Sequence, residues 1–121
     1  FLEDTKSKPS DFDCIFTGDL GFIGSELLYE LMEKDGIDLK PHHNDCGMMM
    51  FHRYKQDVHG GGSGCGCVGS ITCSYILSKL KKGELKRVAI CGTGALLSTI
   101  STGQGESIPC IAHLIELESR K

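Results

Sequence analysis

The sequence predicts a layered α/β fold, and two observations indicate it. Apolar runs of strand length, centred on residues 14–16 and lying within residues 87–97 and 109–118, alternate with stretches of helical periodicity. The predicted order is strand, helix, weak strand, helix, strand, strand. Strands separated by helices are expected to be parallel, and the last two, with no long helix between them, to pair as a hairpin in one mixed sheet.

The first strand, residues 14–16, is expected to be buried and to end in a tight turn at residues 17–19. A helix follows, with Asp19 suited to cap its start and Gly36 to end it in a left-handed conformation. Asp19 also lies where open α/β sheets bind ligands, although capping is the more common role. The apolar positions of the helix recur at helical spacing: Leu20, Ile23, Leu27, Leu31 and Met32.

Residues 41–52 are harder to interpret, because Pro41 opens a dense polar cluster. The cluster predicts a loop, and residues 47–52 a weak strand. Such a cluster could supply a general base or a ligand-binding group, but it is more often a hydrated turn. Met48–Met50 are typical of adaptable packing. The polar cluster consists of His42, His43, Asn44 and Asp45.

A second helix follows the glycine segment at residues 58–67 and is predicted to be buried on most sides. Gly83 ends it, after lysines that complement its carboxyl-terminal dipole. One apolar face is formed by Val68, Ile71, Thr72, Tyr75, Ile76 and Leu80, and a second, thinner face by Gly66, Ser70, Cys73 and Leu77. The lysines are Lys79, Lys81 and Lys82.

The last apolar run begins at Pro109, whose missing N–H is tolerated at a strand edge. His113 within this run is expected to be a satisfied core histidine. The seven cysteines are odd in number, and four of them lie in apolar segments, which favours buried reduced thiols and a reducing, intracellular compartment. These four are Cys14, Cys73, Cys91 and Cys110.

Composition excludes several classes of function. Thirteen Lys and Arg against sixteen Asp and Glu leave no basic surface for a nucleic acid. No apolar run reaches the roughly 20 residues of a membrane span, and no signal peptide is apparent. Residues 1–10 are predicted to be a polar linker or the remnant of a preceding segment, and residues 11–121 one domain. Because the chain begins at Phe1, it is expected to be part of a longer protein.

Three interpretations compete for the glycine segment, VHGGGSGCGC. Its thiols and imidazole suit zinc, but a single residue between the paired cysteines is unusual spacing. Consecutive glycine amides ahead of a helix can instead form a nest for a carboxylate or phosphate. The third interpretation is close packing of backbone on backbone, without any ligand. The candidate zinc ligands are Cys46, His59, Cys65 and Cys67.

This arrangement resembles the carboxyl-terminal half of the thiolase-like fold. It is more closely similar to the stage V sporulation protein AD family, over nearly all of the chain from Asp11 onward. The family resemblance is carried by TGDLGFIG, NDCG, QDVHGGGSGCGC, TGALLS and ESIPCIAH. It implies an incomplete half-domain whose amino-terminal partner, with the nucleophilic cysteine position, lies outside this sequence.

The resemblance also implies that the fold is retained and catalysis lost. His59 stands where thiolases have asparagine, and Cys67 where they have the catalytic histidine. Cys91 matches the second catalytic cysteine, but without a base it is not an activated nucleophile. The histidine of condensing relatives falls on residues 17–19, which contain no general base of the same kind. No catalytic residue and no resident metal are therefore predicted.

The function that the resemblance implies is binding of dipicolinic acid, pyridine-2,6-dicarboxylate, for its uptake into the developing spore. The ligand residues predicted on this basis are His59, Gly60, Gly61, Gly62, Ser63, Gly64, Cys67, Asp19, Asn44 and Cys91. No cofactor is predicted, and calcium is expected only as a companion of dipicolinate. The alternatives are an acyl transferase or thiolase-like enzyme acting on coenzyme A thioesters, and a purely structural subunit.

The expected protein partners are a second copy, forming a homodimer, and other proteins of the stage V sporulation A membrane complex. The expected location is the cytoplasm or the periphery of the spore inner membrane.

Overall fold

A four-stranded sheet organises the molecule in the computed structural model, which describes residues 1–95 and 98–120. Leu96 and Leu97, which end the apolar run predicted at residues 87–97 and belong to TGALLS, lie outside the described residues. The strands are β1 Cys14–Thr17, β2 His43–Asp45, β3 Arg87–Cys91 and β4 Leu114–Glu118. The helices are α1 Leu2–Thr5, α2 Gly21–Lys34, α3 Cys46–Met49, α4 Gly66–Ile71, α5 Leu77–Lys82 and α6 Thr99–Gly103.

The strand order is β2-β1-β3-β4. β1 pairs in parallel with both β2 and β3, and β3 pairs with β4 in antiparallel fashion. The α/β class, the mixed sheet and the terminal hairpin are therefore confirmed. The short α6 between β3 and β4 agrees with the expectation that no long helix fits there.

The two faces of the sheet bury separate apolar clusters, because side chains alternate along each strand. Phe16 and Ile90 point to the face covered by α4 and α5, where they pack with Cys67. Ile15 and Ala89 point to the opposite face, which α2 covers with Leu28 and Met32 among its packed residues.

Helix α2 follows β1 as predicted, and Gly36 at its end has φ +74°. Its orientation differs from the prediction, because Ile23, Leu27 and Leu31 are 73%, 54% and 59% exposed. Gly21 and Ser25 are the buried positions instead. A Cβ on Gly21 would collide with the carbonyl oxygen of Gly60, so close approach of backbones determines which side of α2 faces inward.

The loop and weak strand predicted at residues 41–52 are wrong in position. The polar cluster itself contains the strand β2, and residues 46–49 form α3. Asp45 explains the difference, because its side chain accepts a hydrogen bond from Met48 N at 3.1 Å and starts a helix there. Pairing with β1 then makes residues 43–45 a strand despite their polarity.

The second helix runs from α4 through a π-helical turn at Thr72–Ile76 into α5. It ends at Gly83, whose φ is +75°, as predicted. Burial on most sides is wrong, because only one face is covered; Cys73, Tyr75 and Leu77 are exposed. No helix within residues 1–95 and 98–120 has the length and apolar content needed to cross a membrane.

Two smaller expectations are also corrected. His113 precedes β4 and is exposed rather than buried in the core, because the strand begins one residue later. Cys73 and Cys110 are exposed, and Cys14 and Cys91 are only partly buried, although all seven thiols are free. Within the segment predicted as linker or remnant, residues 2–5 form α1, whose Leu2 packs against the cluster beneath α2.

Candidate functional site

The candidate site lies where β1 and β3 end side by side. The chain leaves β1 for α2 on one face of the sheet and reaches β3 from α5 on the other face. In open α/β sheets, ligands bind in the crevice at the carboxyl ends of strands where the connections diverge in this way. Asp19 and Thr93 follow these two strands and mark the crevice.

Asp19 joins three segments of the chain at this point. Its Oδ1 accepts a hydrogen bond from Thr93 Oγ1, and its Oδ2 accepts one from Gly64 N at 2.6 Å. Asp19 N donates to Thr93 Oγ1 at 3.1 Å. The sequence suggested that Asp19 caps α2, but the structure shows that it does not. Its hydrogen bonds instead connect the glycine segment and the end of β3 to the end of β1.

A cavity of about 480 Å³ opens beside this junction. Its walls carry small and apolar side chains together with the polar groups of Asp19 and Thr93. The lining residues are Asp19, Leu20, Thr93, Gly94, Ala95, Cys110, Ile111 and Ala112. The volume lies within the range of small-molecule binding sites in proteins.

The glycine segment packs mainly against the protein's own backbone. Gly62 N donates to the carbonyl oxygen of Gly47, and Phe22 N donates to that of Gly60, both at 2.8 Å. Gly61 N donates to Val58 at 2.8 Å. With Gly64 N donating to Asp19 and Cys67 N donating to the carbonyl oxygen of Gly64 at 3.1 Å, four of the segment's amides already have protein acceptors. This favours the packing interpretation over a nest of free amides.

Asp45 is the residue that sequence reasoning undervalued. It is fully buried, and its Oδ1 accepts from Thr17 Oγ1 at 2.6 Å and from Leu20 N at 2.9 Å. Its Oδ2 accepts from Gly21 N at 3.0 Å and from Met48 N at 3.1 Å. One carboxylate thus orders the starts of both α2 and α3. The sequence signal for this role was the position of Asp45 three residues before Met48, whose amide it caps.

The other predicted ligand residues are dispersed around the junction. His59 is exposed, with φ +46°, and its Nδ1 lies 3.6 Å from Asp57. Asn44 Oδ1 accepts from Asp45 N at 2.9 Å. Cys91 lies on the α2 face of the sheet, opposite Thr17, whereas Cys67 is buried on the other face. Ligand contact by these residues stays a prediction.

Both thiols that the sequence resemblance matches to catalytic positions of thiolases have raised pKa values. Burial raises the pKa of the Cys67 thiol, and the nearby charges of Asp19 and Asp45 raise it further. Burial alone raises the pKa of Cys91. A raised pKa keeps a thiol protonated, whereas nucleophilic catalysis requires the thiolate. Among residues 1–95 and 98–120, no three His, Cys, Asp or Glu side chains are grouped so that they could hold a metal ion.

Comparison of the sequence with known proteins identifies a family. Residues 1–118 match the family described as Stage V sporulation protein AD. The protein of that name from Bacillus subtilis (strain 168) is 40% identical over 117 residues, which cover 97% of this chain and 34% of the relative. The chain therefore spans about a third of the length of that relative.

Proposed function

The chain belongs to the stage V sporulation protein AD family, and from that premise we propose that it contributes to binding dipicolinate for uptake into the developing spore. The family makes this a sporulation protein. We propose three further points: that the ligand is dipicolinate, that the protein acts in its uptake, and that this role does not involve catalysis.

The cavity between the ends of β1 and β3 is the observation that carries this proposal. Dipicolinate is a flat ring with two carboxylates, and the small side chains of Gly94, Ala95 and Ala112 leave room for a ring. Thr93 adds a polar group. Asp19 would repel a dianion, but both of its oxygens already accept hydrogen bonds from the protein. Calcium, as a companion of the ligand, would offset the remaining repulsion.

The raised pKa values of Cys67 and Cys91 support a binding role over acyl transfer. Acyl transfer through a cysteine, as in thiolases, needs a thiolate and a base within hydrogen-bond reach. His43, a partly buried histidine, is hydrogen bonded to Tyr29 and Thr17 instead. We therefore expect no thioester turnover. Coenzyme A thioester hydrolysis that disappears in Cys67→Ser or Cys91→Ser would contradict this part of the proposal.

Calorimetric titration of dipicolinate into the protein, with and without calcium, tests the binding proposal. We expect saturable binding, and we expect Ala112→Leu, which fills the cavity, to weaken it at least tenfold. Gln104→Leu, at an exposed position, adds the same side chain outside the cavity and is expected to leave the affinity unchanged.

Two results would contradict the proposal. Lack of saturable binding under both conditions would show that dipicolinate is not the ligand. Equal affinities in the wild type and Ala112→Leu would show that dipicolinate does not bind in this cavity. The protein partners, a second copy or other proteins of the stage V sporulation A membrane complex, stay predictions.

A further inference from the structure

A chain of side-chain hydrogen bonds runs from α2 to the end of β2, outside the cavity described above. Tyr29 Oη lies 2.8 Å from His43 Nδ1, and His43 Nε2 lies 2.9 Å from Thr17 Oγ1. Thr17 Oγ1 in turn donates to Asp45 Oδ1 at 2.6 Å. Dipicolinate binding as proposed does not use this chain.

The direction of each hydrogen bond from Tyr29 to Asp45 follows from the contacts of Asp45. Its two oxygens accept from one hydroxyl and three backbone amides, so the Thr17 proton points to Asp45. The lone pairs of Thr17 Oγ1 are then left to accept from His43, whose proton must be on Nε2. Nδ1 of the same ring is therefore unprotonated and accepts from the Tyr29 hydroxyl.

We propose that His43 is a pH-sensitive link between α2 and the edge strand β2, which accepts a hydrogen bond from Tyr29 while it is neutral and turns the tyrosine proton away when it is protonated. The second proton binds Nδ1, which then cannot accept from Tyr29. The Tyr29 proton has to point away from the imidazole ring, and the tyrosine oxygen can stay beside Nδ1 only by accepting a hydrogen bond from it. The Tyr29 and His43 rings are in edge-on contact, with centroids 5.3 Å apart and ring planes at 81°. After protonation, the Tyr29 ring in this contact faces an imidazolium.

The surroundings of His43 favour the neutral form. Burial lowers its pKa from the ordinary value of 6.5, and the charge of Asp45 opposes this only in part. The segment before β2 contributes Lys40, whose Nζ is 5.2 Å from the centre of the Tyr29 ring, together with His42. α2 contributes Glu26, which pairs with Lys40 at 3.2 Å. β1 contributes Cys14, whose thiol is kept neutral because burial raises its pKa to about 12.

The sign of the pH dependence follows from this lowered pKa. Between the folded pKa and 6.5, the unfolded chain binds more protons than the folded one. The contribution of neutral His43 is therefore complete above pH 6.5 and is lost as the pH falls through the folded value. Asp45 still holds the amides of Leu20 and Gly21, so the change is expected in the later part of α2, near Tyr29.

The decisive experiment is a pH titration followed by NMR of the histidine side chains and backbone amides. In the wild type we expect His43 to have its proton on Nε2 at neutral pH and to titrate below 6.5. The amides of residues 26–34 should shift with the same midpoint. His43→Gln should abolish that shift, and His52→Gln, an exposed histidine, should leave it unchanged.

Tyr29→Phe separates the link from a merely structural effect of the histidine. It keeps the ring but removes the hydroxyl whose proton turns away, while the burial and the Asp45 charge that shift the pKa of His43 stay in place. His43 should therefore still titrate below 6.5, but the later α2 amides should no longer follow its midpoint. A proton on Nδ1 in the neutral wild type, a midpoint at or above 6.5, or α2 amides that do not follow His43 would each overturn the proposal.

Discussion

At the scale of single residues, Asp45 has the largest structural effect among the polar side chains of the site. Four donors converge on its carboxylate, and it has no exposed surface. A carboxylate that satisfies several buried N–H groups is stabilising, because each of those groups would otherwise lose its hydrogen bond to water without replacement. The starts of α2 and α3 therefore depend on one side chain.

Asp45→Ala is expected to lower the free energy of unfolding by about 3 kcal/mol or more, because buried donors lose their acceptor. Urea denaturation followed by circular dichroism measures this. Asp57→Ala, at a carboxylate that is 90% exposed, should change stability by less than about 0.5 kcal/mol. Similar effects of the two substitutions would contradict the structural role given to Asp45.

At the scale of elements, α3 and the glycine segment form one packed unit. A Cβ on Gly47 would collide with the carbonyl oxygen of Gly62 and come within 3.0 Å of Asp45 Oδ2. A Cβ on Gly62 would lie 3.2 Å from Cys67 Sγ. These two glycines allow the segment to lie against α3, whereas Gly60 and Gly69 have open space around the corresponding position.

Gly47→Ala should therefore destabilise the protein by about 1 to 3 kcal/mol through overpacking. Gly69→Ala, on the exposed side of α4, should instead stabilise it by up to about 1 kcal/mol, since alanine favours helix. Thermal and urea unfolding of both variants make a matched comparison. Loss of stability in Gly69→Ala, or none in Gly47→Ala, would contradict the packing described for this unit.

At the scale of the whole molecule, the parallel strands β2, β1 and β3 bring together the ends of segments that are distant in the sequence. Asp19 and Thr93 are 74 residues apart, yet they share a hydrogen bond because β1 and β3 are neighbours. The same assembly buries some thiols and leaves others in solvent, so thiol reactivity reports on the folded molecule.

We expect Cys65, Cys73 and Cys110 to react rapidly with Ellman's reagent in the native protein, because their side chains are exposed. Cys46 and Cys67 are buried and should react only as the molecule unfolds; burial also raises the pKa of Cys46 to about 12. Cys73→Ser should remove one rapid equivalent. Rapid reaction of Cys67 in the native protein would contradict its position in the core.

The sequence by itself determined the class of fold, the strand at residues 14–16, the glycine that ends each long helix and the terminal hairpin. These features depend on local periodicity and on backbone conformations that glycine adopts easily. The family motifs in the sequence also indicated the correct relatives, as the match over residues 1–118 confirms.

Tertiary structure alone decided the rest. The polar residues 43–45 form a strand because they pair with β1. Ile23 of α2 faces outward because the side of the helix that carries Gly21 packs against Gly60. The pairing of Asp19 with Thr93 and Gly64 likewise depends on strand order. Local sequence pattern carries no information about such long-range neighbours, whose hydrogen bonds and close contacts outweigh weak local preferences.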